Sequence, residues 1–216
     1  RAPYGPRDFE TVYQYTLEAV QWLFNRGCPL VILACNTASA KALRSIQQRN
    51  LPGIDPSKRV LGVIRPTTEV IGDYTETKHI GILGTQGTID SGSYVIEVGK
   101  AFPDVRVHQQ ACPAWVPLVE SGDYLDFTIA DPIIRDCLIQ LLDQSDDIDT
   151  VLLACTHYPL LYPRIRAMLP PDINVVSQGE IVADSLSAYL LRHPEMETRL
   201  SKGASLQFCT TGDPES

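Results

Sequence analysis

Short apolar runs alternate with amphipathic stretches along most of this chain, and this alternation limits the folds it can adopt. Residues 30–34 (LVILA) form a continuous apolar run, as in a strand that is buried on both faces. Residues 9–26 carry apolar side chains at helical spacing and stop at Gly27. Parallel strands need crossover connections, which are usually helical. The repeated strand–helix order therefore predicts an α/β fold with mostly parallel sheets flanked by helices.

The alternation of strand-like and helix-like segments extends over most of the sequence. Segments predicted as strands are 30–34, 59–64, 79–83, 105–109, 150–154, 174–177 and 206–209. Segments predicted as helices are 9–26, 38–50, 66–74, 91–101, 128–144, 159–169 and 179–192.

One internal similarity suggests that the chain forms two related halves. Residues 31–37 (VILACNT) resemble residues 151–157 (VLLACTH), 120 residues further on. We therefore expect two similar lobes, each with its own sheet, and an active site in the cleft between them. A lobe of 65 residues alone would have a thin core. The predicted division is 1–65 with 178–216 for the first lobe and 66–177 for the second.

Composition excludes several classes of function. The net charge is −8 and the pI about 4.9, which argues against nucleic-acid and anionic-membrane partners because these recruit basic surfaces. No apolar run approaches the roughly 20 residues that span a bilayer. Six scattered cysteines without a CxxC pair exclude a zinc ribbon and argue against a disulfide scaffold. Without a signal-like segment, we expect a cytoplasmic protein. No cofactor or metal motif is present, so neither is expected.

Two cysteines follow predicted strands at the position where α/β proteins bind ligands. Cys35 and Cys155 each lie between a strand and a helix, where backbone N–H groups and the helix dipole favour a thiolate. Both could equally be buried as small apolar side chains. Two thiols that face one cleft could exchange a disulfide or transfer protons on opposite faces of a carbon. The remaining cysteines are predicted to be structural: Cys28, Cys112, Cys137 and Cys209.

The residues around these cysteines resemble a known family. Residues 33–38 (LACNTA) and 154–160 (ACTHYPL) are similar to the two signature motifs of the glutamate racemases, in the aspartate/glutamate racemase superfamily. Residues 3–5, 81–88 and 116–122 fit the same family in the same order. The resemblance implies a cofactor-independent isomerase that interconverts L- and D-glutamate and supplies D-glutamate for peptidoglycan.

The resemblance also implies roles for individual residues. Cys35 and Cys155 would be the two proton donors and acceptors, with His157 assisting Cys155 and Glu120 as a further acid–base helper. His157 and Glu120 could instead be ordinary surface residues. Substrate binding would fall to Pro3, Tyr4, Gly5, Asn36, Thr37, Thr85, Thr88 and Thr156. The Asn and Thr residues could also act as helix caps without any ligand.

The family begins with a strand that leads to an Asp-Ser-Gly motif, and this sequence has nothing before Arg1 that could supply that opening segment. The sequence opens without a methionine on residues 1–7 (RAPYGPR). We therefore expect a fragment that folds but is a weaker enzyme than a chain with that motif. The expected partner is the small-molecule substrate, with no nucleic acid and no membrane. The oligomeric state stays open, with a homodimer among the options.

Three alternatives remain at this stage. The chain could be an aspartate racemase or another isomerase of the same superfamily that uses the same cysteines. It could be a thiol redox or sensing protein in which Cys35 and Cys155 form a reversible disulfide. It could also be an amino-acid binding module without catalytic activity.

Overall fold

The structure is a computed structural model, and it describes residues 2–212. Within that range the strands form two sheets, and each paired strand is parallel to its neighbour. The strands are β1 (Leu30–Leu33), β2 (Arg59–Gly62), β3 (His79–Gly84), β4 (Arg106–Ala111), β5 (Thr150–Ala154) and β6 (Asn174–Ser177). The smaller sheet pairs β1 with β2, and the larger sheet has the order β4-β3-β5-β6.

Helices connect these strands. The α-helices are α1 (Phe9–Asn25), α2 (Asn36–Lys41), α3 (Leu43–Ser45), α4 (Leu51–Ile54), α5 (Ile64–Thr68), α6 (Gln86–Asp90), α7 (Ser93–Ala101), α8 (Trp115–Glu120), α9 (Phe127–Leu142), α10 (Tyr162–Met168), α11 (Gln178–Arg192) and α12 (Pro194–Glu197). Short 3₁₀ turns lie at Ile71–Tyr74, Asp123–Leu125 and Tyr158–Leu161, and a π-helical turn lies at Ile46–Asn50.

The larger sheet is covered on both faces. All of β5 is buried, and its side chains alternate between two cores. Val151 and Leu153 pack into the core that contains α8, α9 and α10, whereas Leu152 and Ala154 pack into the core that contains α7. This alternation follows from the two-residue period of a strand. Residues 151–154 of β5 therefore each stabilise one of the two cores, up to the end of the strand that precedes Cys155.

The smaller sheet has its own core, beneath α1. The Asp8 carboxylate caps α1 by accepting a hydrogen bond from the Thr11 N–H at 2.8 Å. At the other end, the helix gives way to Gly27, whose φ of +90° is a conformation that glycine adopts without strain. Val20 and Phe24 on this helix pack against apolar side chains of β1 and β2.

The predicted α/β fold is confirmed, and all strands but one are found close to their predicted places. The strand predicted at 206–209 is wrong: this segment has no regular structure, and Leu206 and Phe208 are 77% and 88% exposed. Its alternating pattern is that of a strand, but no sheet edge pairs with it in the described chain. The helix predicted at 38–50 is divided into α2, α3 and the π turn. The two sheets also differ in size, with two and four strands.

Candidate active site

The polar residues that follow the strands gather at the carboxyl edges of the two sheets. Cys35 follows β1, Thr85 follows β3, Cys155 follows β5 and Gln178 follows β6. Because all paired strands are parallel, the strand ends of each sheet share one edge. This edge is where open α/β sheets bind ligands.

Three threonine hydroxyls join the two sheets at this edge. The Oγ1 of Thr37, in α2, lies 2.8 Å from Thr85 Oγ1 and 3.3 Å from Thr88 Oγ1. Thr85 Oγ1 and Thr88 Oγ1 are 3.0 Å apart. All three residues are buried. The structure thus brings together three of the residues predicted to bind substrate, and they form a compact group of hydroxyl donors and acceptors.

Cys155, His157 and Glu120 form a second group. The Sγ of Cys155 lies 3.8 Å from Nδ1 of His157, and Nε2 of the same imidazole lies 2.5 Å from Glu120 Oε1. Cys155 is 8% exposed, whereas Glu120 is mostly exposed at the end of α8. A proton can therefore pass between the buried thiol and a solvent-exposed carboxylate through one imidazole. The three acid–base residues predicted around Cys155 lie in contact in the order Cys155, His157, Glu120.

Burial controls the charge of Cys155. The pKa of this thiol is raised to about 11, chiefly by burial; the backbone N–H groups of His157 and Tyr158 oppose the rise, and a negative charge on Cys35 adds to it. The two thiols are therefore near enough to influence each other electrostatically. Cys35 itself is partly exposed and occupies the N-cap position of α2.

The side-chain amide of Asn36, a residue predicted to bind substrate, already has partners within the protein. The residue is 2% exposed, and both ends of its side-chain amide are occupied. Its Nδ2 donates to Gln178 Oε1 at 2.7 Å, and its Oδ1 accepts from the Tyr94 hydroxyl at 2.7 Å. The sequence reasoning missed Tyr94 and Gln178. Gln178 could have been found by the rule that identified the cysteines, since it directly follows a strand.

The loop at residues 3–5 packs against α6. The Gly5 carbonyl accepts a hydrogen bond from the Gly87 N–H at 3.0 Å, and a Cβ at Gly87 would lie 2.8 Å from that carbonyl oxygen. This close approach requires glycine at position 87. Gly5 also lies against the Thr85 side chain, and Lys41 Nζ donates to the Arg7 carbonyl at 2.6 Å. The loop that contains Pro3 and Tyr4 therefore reaches the threonine group.

The remaining predicted residues have less defined surroundings. Thr156 is exposed next to Cys155. Cys112 and Cys137 are buried in the core of the larger sheet and Cys28 packs beside α1, as predicted for structural thiols. Cys209 is exposed, so its predicted structural role is wrong.

One groove lies away from the two groups of site residues. A groove of about 430 Å³ beside β6, lined by residues that include Tyr74, Tyr162 and Glu180, contains none of the predicted site residues. Among residues 2–212, no three His, Cys, Asp or Glu side chains are grouped to hold a metal ion. Over the same range, no helix has the length and apolar content that a membrane span requires.

Comparison with known proteins places this arrangement in context. A curated glutamate racemase of Ruegeria pomeroyi is 40% identical over 223 residues, which cover 99% of this chain and 79% of the relative. A glutamate racemase of Listeria innocua is 38% identical over 216 residues, which cover 100% of this chain and 77% of the relative.

Solved structures agree with these relatives. A crystal structure of a glutamate racemase isoform from Bacillus anthracis has a TM-score of 0.81 and 34% identity, and covers 89% of this chain and 69% of that one. Glutamate racemase from Thermus thermophilus, in complex with beta-chloro-D-alanine, has a TM-score of 0.78 and 31% identity over 100% of this chain and 75% of that one. The model of the Asp/Glu/Hydantoin racemase family matches residues 1–186. The chain therefore belongs to the Asp/Glu/hydantoin racemase family.

Proposed function

We propose that this chain interconverts L- and D-glutamate without a cofactor, by proton transfer at Cα between two cysteines. The observation that carries the proposal is the pair formed by Cys35 and Cys155. Cys155 follows the buried strand β5 and Cys35 follows β1, where Ile32 is 39% exposed, so the two thiols stand at the carboxyl ends of strands in different sheets. The relatives named above are glutamate racemases, which supports glutamate as the substrate.

The chemistry needs one base and one acid on opposite faces of Cα. One cysteine, as thiolate, removes the Cα proton and becomes a thiol, leaving a carbanion that is conjugated with the α-carboxylate. The other cysteine, as thiol, delivers its proton to the opposite face and becomes a thiolate. One proton is taken up and one is released, so the thiol and thiolate exchange places while the amino acid is inverted. The reverse reaction uses the same two residues in swapped roles.

Burial of Cys155 suits it to hold the proton that is delivered. With a pKa of about 11, its thiol stays protonated near neutral pH. In that state Cys155 is the acid and Cys35 is the base. His157 and Glu120 connect Cys155 to solvent through contacts of 3.8 Å and 2.5 Å. This pair can therefore reset the proton on Cys155 between turnovers.

The cluster of three hydroxyls from Thr37, Thr85 and Thr88 can bind the carboxylates of the substrate. Hydroxyls and backbone N–H groups donate to carboxylate oxygens, and these bonds are stronger when the acceptor is charged. Negative charge moves onto the α-carboxylate as the proton leaves Cα, so donors fixed in place stabilise the transition state more than the ground state. We include the loop at residues 3–5 and Thr156 in the binding site because they lie beside this group and beside Cys155.

The proposal extends to the organisation and setting of the protein. We propose the lobe division 1–65 with 178–216 and 66–177. It is supported by Arg199, whose guanidinium donates to the Ser57 carbonyl at 2.5 Å and ties the C-terminal part to the chain beside β2. We also propose that the product D-glutamate supplies peptidoglycan synthesis in the cytoplasm.

The test is racemisation followed by circular dichroism, starting separately from L-glutamate and from D-glutamate. In deuterium oxide, Cα should gain one solvent deuteron in each inverted product. Cys35→Ala and Cys155→Ala should each abolish racemisation, because each removes the acid or the base for one face. Cys28→Ala is the matched control: it removes a thiol just before β1, at the opposite end of the strand from Cys35, and should keep full activity.

Each contrary result identifies an alternative. Full activity in either Cys35→Ala or Cys155→Ala would refute the two-thiol mechanism. Faster turnover of L-aspartate than of L-glutamate would assign a different substrate within the family. Binding of glutamate without any isotope exchange would indicate a binding module. If Cys35 and Cys155 formed a reversible disulfide to the same extent with and without glutamate, the result would favour a redox protein.

A further inference from the structure

A buried polar network surrounds the residue that follows Cys35. Gln178 Nε2 lies within hydrogen-bond distance of three acceptors: Thr67 Oγ1 at 2.8 Å, the Tyr94 hydroxyl at 2.8 Å and the Val63 carbonyl at 3.3 Å. Gln178 Oε1 accepts from Asn36, and Asn36 accepts from the Tyr94 hydroxyl. Tyr94, Thr67, Asn36 and Gln178 are all buried. Such networks hold a unique arrangement when every member has a partner.

This network occupies the place where the chain passes between the two sheets. Val63 and Thr67 lie on the first passage, from β2 through α5 towards the larger sheet. Gln178 lies on the second, where β6 leads into α11, and α11 packs against α5. Tyr94 comes from α7 of the larger sheet. The network therefore links both passages and α7 to Asn36, the first residue of α2.

The surroundings of Tyr94 also connect it with the second thiol. Burial raises the pKa of the Tyr94 hydroxyl far above its usual range, and a negative charge on Cys155 would raise it further. The phenol is therefore neutral at physiological pH and remains a hydrogen-bond donor to Asn36. The same phenol is close enough to Cys155 to respond to the charge of that thiol.

We propose that Tyr94 and Gln178 are positioning residues that fix the peptide at Cys35–Asn36 relative to Cys155, and so set the separation of the two thiols. This inference rests on the proposed racemase function. Neither residue exchanges a proton with the substrate. Their effect passes through Asn36, whose amide they hold from both ends.

The geometry of a two-base reaction explains why this position matters. Cα must lie between two sulfur atoms, each within reach of one face, so an error at either thiol affects both directions of the reaction. A misplacement of about 1 Å in a reacting group can lower the rate by about 100-fold. Cys35 is partly exposed and follows a strand of the smaller sheet, so it gains most from contacts that extend across to the larger sheet.

The test compares Tyr94→Phe with Tyr13→Phe. Both remove one hydroxyl that donates to an Asn Oδ1, at 2.7 Å to Asn36 and at 2.8 Å to Asn50. Tyr94→Phe should lower kcat/KM by about 10-fold to 100-fold. Tyr13→Phe, which lies outside the site, should leave it unchanged. Gln178→Glu, which has nearly the same shape but loses amide donors, should act like Tyr94→Phe and serves as the second variant if Tyr94→Phe does not fold.

Isotope effects separate positioning from general destabilisation. The equilibrium between enantiomers is fixed, so kcat/KM falls equally for L- and D-glutamate. With α-deuterated substrates, however, the primary isotope effect should rise for the enantiomer whose proton Cys35 removes and not for the other. A role in stability alone would lower the melting temperature and leave both isotope effects as in the wild type.

The outcomes distinguish the two proposals. A wild-type chain that does not racemise glutamate would overturn the proposed function and this inference with it. An active wild type, together with unchanged kinetics in folded Tyr94→Phe or Gln178→Glu, would overturn the positioning role alone. A fall in kcat/KM with equal isotope effects for both enantiomers would also count against it, since the effect would not be directed to Cys35.

Discussion

Cys155 combines a position in the core with the proton-transfer role that we propose for it. It packs into the core of the larger sheet, and that burial raises its pKa to about 11. A buried thiol is an effective proton store at neutral pH, since its neutral form needs no solvation. The contact with His157 then gives this otherwise enclosed sulfur a path to solvent. Burial therefore favours the thiol form of Cys155, which suits the direction in which Cys155 delivers the proton, whereas the opposite direction needs its thiolate.

The raised pKa of Cys155 predicts a loss of stability at high pH. Below pH 9 the thiol is protonated in both the folded and the unfolded chain. Between pH 9 and 11 the unfolded chain releases this proton while the folded chain keeps it, because the pKa rises from 9.0 to about 11 on folding. Unfolding therefore becomes easier, by up to about 3 kcal/mol above pH 11.

Urea unfolding of the wild type and of Cys155→Ser from pH 7 to 11 measures this effect. Other buried groups, such as Tyr94 and Cys112, titrate in both proteins, so the difference between the two curves isolates Cys155. The wild type should lose stability relative to Cys155→Ser as pH rises. A difference that stays constant across this range would show that Cys155 is not shielded from water as the structure has it.

At the scale of elements, the loop at residues 3–5 depends on its contacts with α2 and α6. It has no regular structure, so backbone hydrogen bonds from neighbouring groups hold it. The Gly87 N–H binds the Gly5 carbonyl, and Lys41 binds the Arg7 carbonyl. Lys41 lies one helical turn after Thr37 in α2. The short helix α2 therefore carries both Thr37, one of the three clustered threonines, and Lys41, which holds the loop.

Lys41→Met should weaken substrate binding. It removes a charged donor to the Arg7 carbonyl while it keeps most of the apolar stem, and hydrogen bonds to charged groups contribute about 1.5–3 kcal/mol. We expect KM for glutamate to rise by about 10-fold or more, with a smaller change in kcat, because we propose that the loop binds substrate and does not transfer protons. Steady-state kinetics with both enantiomers measures the two parameters.

Lys58→Met is the matched control for this variant. Its Nζ donates to the Phe24 carbonyl at 2.7 Å, nearly the same contact, but at the far end of the smaller sheet. Lys58→Met should reduce stability without changing KM. If the two variants had equal effects on KM, Lys41 would have no specific link to the binding loop.

At the scale of the whole molecule, the sequence predicts the residues at strand ends far better than the contacts between distant segments. Cys35 and Cys155 could be predicted because an apolar run followed by polar residues is a local pattern, and parallel pairing brings such ends to one edge. Thr85 is predicted from its resemblance to a family motif. Tyr94 could not be predicted, since it lies within α7 and meets Asn36 through tertiary packing alone. The strand at 206–209 is predicted wrongly because its alternating pattern is local, whereas a strand forms only where another strand is available to pair with it.

The two sheets are joined at the site, so a bound ligand should stabilise the whole molecule. Thr37 lies in α2, which follows a strand of the smaller sheet, whereas Thr85 and Thr88 follow a strand of the larger sheet. The Thr37 hydroxyl lies within hydrogen-bond distance of both the others. A ligand that binds the folded chain alone, at 100 times its Kd, adds about 2.7 kcal/mol to the free energy of unfolding. If this ligand contacts both sides, the entire chain should unfold in one transition that glutamate shifts.

Urea titration followed by tryptophan fluorescence and by far-ultraviolet circular dichroism tests this expectation. Trp22 reports on α1 beside the smaller sheet and Trp115 on the core of the larger sheet. With either glutamate enantiomer, the unfolding transitions seen by fluorescence and by circular dichroism should both move to higher urea. An equal ionic strength of sodium chloride should leave both transitions in place. If the two transitions occurred at different urea concentrations and glutamate moved only one of them, the ligand would stabilise only part of the chain. A site shared between the two sheets would then be ruled out.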